Sequence, residues 1–173
     1  GTDRLAEAVE TLGLEPETVV VNLQGDEPEM PPACLRQVAD LLTGNGQAEM
    51  ATLWRPLTGE AEWRDPNVVK VVLDDRGRAL YFSRSPIPHV RAGGWPGDAA
   101  RGHVGLYAYR ASALAAWRSL PPSEPERLES LEQLRALSAG WDILCAEAIE
   151  TVPAGIDTPE DLRSAAERLR TLL

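Results

Sequence analysis

The sequence predicts a three-layer α/β/α domain built on a mixed sheet with one inserted β-hairpin. Apolar runs of strand length alternate along the chain with segments of helical periodicity, the pattern of a sheet covered by helices. Asp74-Asp75-Arg76-Gly77 separates two apolar runs and reads as a hairpin turn. The chain has 173 residues, 43% of them apolar, enough for one real core, and no repeat or long linker divides it.

Each element follows from a local signal. Leu5, Ala8, Val9 and Leu12 recur at helical spacing directly after Gly1-Thr2-Asp3-Arg4. Thr18 to Leu23 is a continuous apolar run, expected for a parallel strand covered on both faces. Pro31-Pro32 opens a helix through Leu35, Val38, Leu41 and Leu42, and Gly44-Asn45-Gly46 ends it. Met50 to Leu53 reads as a strand, followed by a polar turn around Glu60 to Asp65. Asn67 to Leu73 and Ala79 to Ser83 form the hairpin, and residues 84 to 101, rich in Pro, Gly and Arg, the longest loop. His103 to Tyr109 is a strand, Leu114 to Trp117 a short helix, and Leu128, Leu131, Leu134 and Leu137 mark one further helix. Trp141 to Ala146 is the last strand. Thr158, Pro159 and Asp161 supply cap, first-turn proline and capping-box acid for a terminal helix.

Composition narrows the function. A net charge of −10 argues against a nucleic-acid groove or an anionic membrane surface, and no apolar run has membrane-spanning length. Cys34 and Cys145 have no metal spacing, so a reduced, cytoplasmic setting is the default. A polyanionic substrate would need local Arg or Lys residues, or a divalent cation.

Several residues can carry chemistry, and each has a plainer alternative. "QGDEP" follows Leu23 at the carboxyl end of a strand, where ligands collect in open α/β sheets. Asp26 there offers Mg²⁺ hard oxygen ligands, or is an acidic turn residue. Asp157 in "GIDTPED" precedes the cap residue, so the helix does not need it as its own cap. Lys70 interrupts an apolar strand, either protecting a sheet edge or meeting an anion. His103, Gly105, Tyr107 and Tyr109 share one strand face, a slot for a polar ligand or a satisfied buried histidine. Ser83 and Arg84 end a strand, and the arginine can grip a carboxylate or stay at the surface. Glu132 and Gln133 flank a leucine stripe, where solvated residues are usual. No GxSxG elbow, Cys/His pair or HExxH helix occurs.

Taken in order and at similar spacing, "GTDRLAE", "VNLQGDEP", "DPNVVKVVLD", "ALYFSRSPIP", "HVGLYAYR", "LESLEQLR" and "VPAGIDTPEDL" resemble the 3-deoxy-manno-octulosonate (KDO) cytidylyltransferases, or CMP-KDO synthetases. The resemblance implies a nucleotide-diphospho-sugar transferase-like (Rossmann-like) fold and a homodimer with the hairpin at its interface. It implies transfer of CMP from CTP to KDO with Mg²⁺, for lipopolysaccharide assembly. It places Asp26 and Asp157 as metal aspartates, and Arg4 and Gln24 around the nucleotide and sugar. Lys70, Ser83, Arg84, His103, Tyr107, Glu132 and Gln133 fall in its substrate-binding motifs. The family's opening strand and phosphate loop, resembling "IPARxxSTRLPGKPL", have no counterpart here, so residues 1–173 are expected to correspond to the enzyme's C-terminal two thirds. The alternatives are a cytidylyltransferase for another acidic sugar, such as a sialic acid or amino-KDO, and a non-catalytic dimerising fragment.

Overall fold

The structure, a computed structural model, describes residues 1–153, 155–156 and 159–170. In chain order the elements are α1 (Thr2–Leu12), β1 (Val19–Leu23), α2 (Pro32–Thr43), β2 (Met50–Pro56), α3 (Glu60–Arg64), β3 (Lys70–Leu73) and β4 (Ala79–Ser83). They continue with β5 (Arg101–Arg110), α4 (Ala111–Trp117), α5 (Glu124–Glu129), α6 (Gln133–Ser138), β6 (Ile143–Glu147) and α7 (Pro159–Arg170).

The strand order is β4-β3-β5-β2-β6, with β1 also paired to β5. β5 is the long central strand. β2 lies antiparallel along one edge of it, while β3 meets it at Gly102 and β1 at Leu106 to Arg110, which puts both on the other edge. β1, β2, β3 and β6 therefore point one way, and their carboxyl ends gather beside the start of β5.

Helices cover both faces. Cys34, Val38 and Leu42 of α2 pack with Ala51, Leu53, Val104, Leu106 and Ala108. On the opposite face Ala6 and Val9 of α1, Leu114 and Trp117 of α4 and Leu134 of α6 pack with Phe82, Tyr107 and Tyr109. The alternation along β5 that separates these sets is the one expected from strand geometry. Leu57, Trp63 and Ala100 form a third, small cluster, where the Trp63 indole donates to Ile87 O at 2.9 Å and pins the long loop.

The hairpin is as expected: Asp74 and Arg78 close it, and Gly77 takes the left-handed φ of +76° that its turn requires. Four expectations are corrected. β1 is neither parallel-paired nor fully covered: its ladder is antiparallel, to β5, and Leu23 is 46% exposed because β1 sits at the sheet's rim. The polar turn expected around Glu60 to Asp65 is a short helix over Glu60–Arg64, closed by an Arg64–Glu60 pair one turn apart. The leucine stripe is two helices. Ser130, at φ 55°, breaks them and leaves Leu128 79% exposed while Leu131 and Leu134 are buried. Ser123 and Glu126 make a reciprocal capping box at the start of α5, and Arg135 of α6 grips Glu126 from 2.9 Å, locking the pair together. Lys70 is the fourth and belongs with the site residues below. Thr158 lies outside the described residues, as does the side chain of Asp161, so the expected cap of α7 is not described.

Candidate functional site

β1 ends at Leu23, and the chain turns at once, with the Glu27 N–H donating to Gln24 O at 3.1 Å. Gln24, Gly25 and Asp26 are exposed on this turn. The Asp26 carbonyl accepts the Ile156 N–H at 2.8 Å, so the two acidic motifs "QGDEP" and "GID", far apart in sequence, are joined through their backbones. Asp157 lies outside the described residues.

The turn folds over one face of β5. Between the stretch held by β3 (His103 N–H to Val69 O, 2.8 Å) and the stretch held by β1 lies Gly105. A Cβ there would lie 3.2 Å from Glu27 Oε1 and 3.9 Å from Gln24 Oε1. Glycine thus lets the turn approach the His103–Tyr107 face, on which a row of rings runs from Phe82 to His103 (5.1 Å), Tyr107 (5.3 Å) and Tyr109 (5.8 Å).

His103 is neutral, because burial pushes its pKa down to about 3. Its Nε2 lies 3.0 Å from Thr52 Oγ1, and that hydroxyl lies 2.8 Å from Leu106 O and 3.2 Å from Val104 O. Thr52 has one proton to give, and the carbonyls, which can only accept, take it. Nε2 therefore carries the ring hydrogen and donates to Thr52, leaving Nδ1 as an acceptor. Burial likewise pushes the Tyr107 and Tyr109 phenols up, so both stay protonated.

At the far end of the row, Tyr109 packs in one cluster with Ala6 and Val9 of α1, the helix that begins at Thr2. Glu132 accepts the Thr2 N–H at 3.1 Å and the Thr2 hydroxyl at 2.8 Å, capping α1 from a distant segment. Gln133, the next residue, is buried at the start of α6. Arg4 is exposed on α1.

The remaining expected residues are tied up elsewhere. β3 is flanked by β4 and β5, so Lys70 is not on an edge. It is fully buried, and its ammonium donates to Asp65 O (2.8 Å), Val68 O (2.5 Å) and Arg84 O (2.6 Å). All three protons are spent on carbonyls, which corrects both expectations for Lys70. Burial lowers its pKa, opposed by the nearby Asp65 and Glu129 carboxylates. Ser83 Oγ donates to Glu129 Oε1 at 2.5 Å, and the Arg84 backbone N–H to Glu129 Oε2 at 2.9 Å. The Arg84 side chain reaches the carbonyls of Glu129 (2.8 Å) and Pro66 (3.0 Å) rather than a carboxylate.

Gln24, His103 and Tyr107 are thus gathered around Gly105, with Asp26 on the same turn as Gln24 and Glu132 holding the start of α1, the helix packed on that face. Sequence reasoning missed Thr52, Glu129 and Gly155. Glu129 offered no periodic signal, since only the fold brings the end of α5 to Ser83 and Arg84.

A family model described as "Cytidylyltransferase" matches residues 1–147. The chain belongs to the cytidylyltransferase family. Among its relatives, the 3-deoxy-manno-octulosonate cytidylyltransferase of Polynucleobacter necessarius is 50% identical over 177 residues, covering 100% of this chain and 67% of the relative. That of Halorhodospira halophila is 49% identical, over 99% of this chain and 69% of the relative. This cytidylyltransferase chain therefore spans about two thirds of the length of these relatives. A solved CMP:2-keto-3-deoxy-manno-octonic acid synthetase complexed with CTP superposes with a TM-score of 0.84 at 40% identity, covering 99% of this chain and 68% of that one. A putative glucose-1-phosphate thymidylyltransferase from Bacillus anthracis, at TM-score 0.58 and 15% identity, shares the fold. The expected nucleotide-diphospho-sugar transferase-like architecture is the one this cytidylyltransferase has.

Proposed function

We propose that this chain transfers CMP from CTP to the anomeric hydroxyl of 3-deoxy-D-manno-octulosonate, releasing pyrophosphate. The observation that carries the reading is the junction of Asp26 with Ile156 over the His103–Tyr107 face, in a chain half identical to enzymes of that name. The anomeric oxygen bonds the α-phosphorus as the bridging P–O bond breaks. Pyrophosphate leaves with the electron pair, and the hydroxyl proton passes to water.

The residues fit a divalent cation. Asp26 projects an exposed carboxylate where the strand ends meet, and Asp157 follows directly after Ile156. Among the described residues no group of three His, Cys, Asp or Glu side chains forms a cage. Mg²⁺ is commonly held by one or two carboxylates plus substrate phosphates, so a pair of aspartates suits it. When bound, Mg²⁺ neutralises charge on the phosphates and acidifies the attacking hydroxyl. The rest of the chemistry is positioning. Gln24, exposed beside Gly105, can hydrogen-bond the sugar or nucleotide. His103, with so low a pKa, is a poor base, and Nδ1 serves to accept a bond from a sugar hydroxyl. Arg4, Tyr107, Glu132 and Gln133 complete the surroundings, while Ser83 and Arg84 act through Glu129.

The same reading carries a cytoplasmic homodimer making CMP-KDO for lipopolysaccharide. Leu80 (59% exposed) and Tyr81 (39%) on the hairpin offer an apolar contact for a second copy. The test is pyrophosphate release from CTP and Mg²⁺ with KDO, a sialic acid or amino-KDO as acceptor. Release strongest with KDO is expected; release strongest with another acid would reassign the acceptor, and none from folded protein would overturn the enzymatic reading.

A further inference from the structure

The reading above gives Glu27 no role, yet its carboxylate sits where three segments converge. A Cβ on Gly105 of β5 would come within 3.2 Å of Glu27 Oε1. A Cβ on Gly155 would meet the same Oε1 at 3.2 Å, with Asp26 O at 3.3 Å and Glu27 Cδ at 3.4 Å. Neither glycine has the positive φ that would call for one on backbone grounds. What both positions need is room, and the nearest atom at each is the same carboxylate oxygen. A glycine inside a strand weakens it and often marks such a close approach. The Glu27 backbone is held as well, donating to Gln24 O at 3.1 Å and accepting the Met30 N–H at 3.3 Å.

We propose that Glu27 is a positioning residue for the cation site. Wedged between Gly105 and Gly155, it sets the spacing of the 24–27 turn, β5 and residues 155–156, and so the place of the Asp26 carboxylate. The inference rests on Asp26 being a cation ligand. Its logic is steric, so it predicts suppression rather than simple loss. A methyl at Gly105 pushes Glu27 away and carries Asp26 with it. Glu27→Asp shortens the wedge by one methylene, loosening the turn when alone but restoring the fit when the methyl is present.

The test is Mn²⁺ binding to the whole chain with CTP present, followed by the electron paramagnetic resonance of the free ion, with thermal melts confirming folded protein. Gly105→Ala and Glu27→Asp are each expected to weaken Mn²⁺ binding several-fold. The double variant is expected to return to within about twofold of the parent, the reverse of independent effects. Support of the fold alone would move the melting temperature without that recovery in affinity. Should Gly105→Ala not fold, Gly155→Ala with Glu27→Asp gives the same comparison, with recovery smaller because its methyl also presses on Asp26 O. Unchanged affinity in the glycine variant, or a double variant no better than the weaker single, overturns the proposal. If the parent binds Mn²⁺ and Asp26→Asn does not, such a result removes the wedge alone; a parent that binds no Mn²⁺ removes the cation site and the wedge together.

Discussion

The two ends of β5's shared edge are held in opposite ways. Beside β3 and β4, Lys70 is held by three carbonyls, and Ser83 and the Arg84 backbone N–H by Glu129. Beside β1, the described contacts of the turn are backbone bonds and close clearance, and Asp26 stays exposed. A buried charge whose bonds are all made within the fold stabilises it and has nothing left for a ligand. An exposed carboxylate on a fixed backbone is free to bind one. Both ends contain charged residues next to a strand, and only the destination of their hydrogen bonds separates the roles.

The comparison can be broken most sharply at Lys70. Lys70→Met keeps the volume but leaves three carbonyls without their donor, and should cost about 3 kcal/mol of stability. A urea midpoint unchanged from the parent would show the saturation to be worthless. Glu129→Ala removes the acceptor for Ser83 and the Arg84 N–H and should cost about 2 kcal/mol by the same measurement. Its effect and that of Lys70→Met should be non-additive, since both hold Arg84.

His103 lies between the two ends and gives the smallest effect, as a pH dependence. Its folded pKa, about 3, lies below the ordinary histidine value of 6.5, so the unfolded chain binds its proton first as pH falls. The stability of the neutral, half-buried ring is therefore complete above about pH 6.5 and is lost as pH falls toward 3. Between pH 6.5 and 5.5, above the range of most carboxylates, the loss should be about 1 kcal/mol. In His103→Asn the melting temperature should fall less steeply over that range. An equally steep fall would place the effect on other groups.

How much of this was legible in the sequence follows the same division. The hairpin, α1, α2 and the alternation of His103, Gly105 and Tyr107 announce themselves through neighbours in the chain. The "QGDEP" turn could be placed because a strand end and its acids are contiguous. The break at Ser130 was less visible: the leucine spacing runs through it, although Ser123 and Glu126 already spelled a capping box that starts a separate helix. Lys70 and Glu129 could not be read at all. Whether a lysine in an apolar strand faces solvent, a ligand or three carbonyls depends on loops that reach it only after folding. Thr52 was hidden for the same reason, since its role toward His103 comes from an antiparallel neighbour far along the chain.

The most direct measurement of the central claim is Mn²⁺ binding in the presence of CTP, compared between the parent chain and Asp26→Asn, with a urea melt of each. The account predicts that the substitution removes the bound ion, or weakens it by about 100-fold or more, and leaves the melt where it was. Unchanged ion binding would contradict it, and so would a loss of binding that merely followed a loss of folded protein.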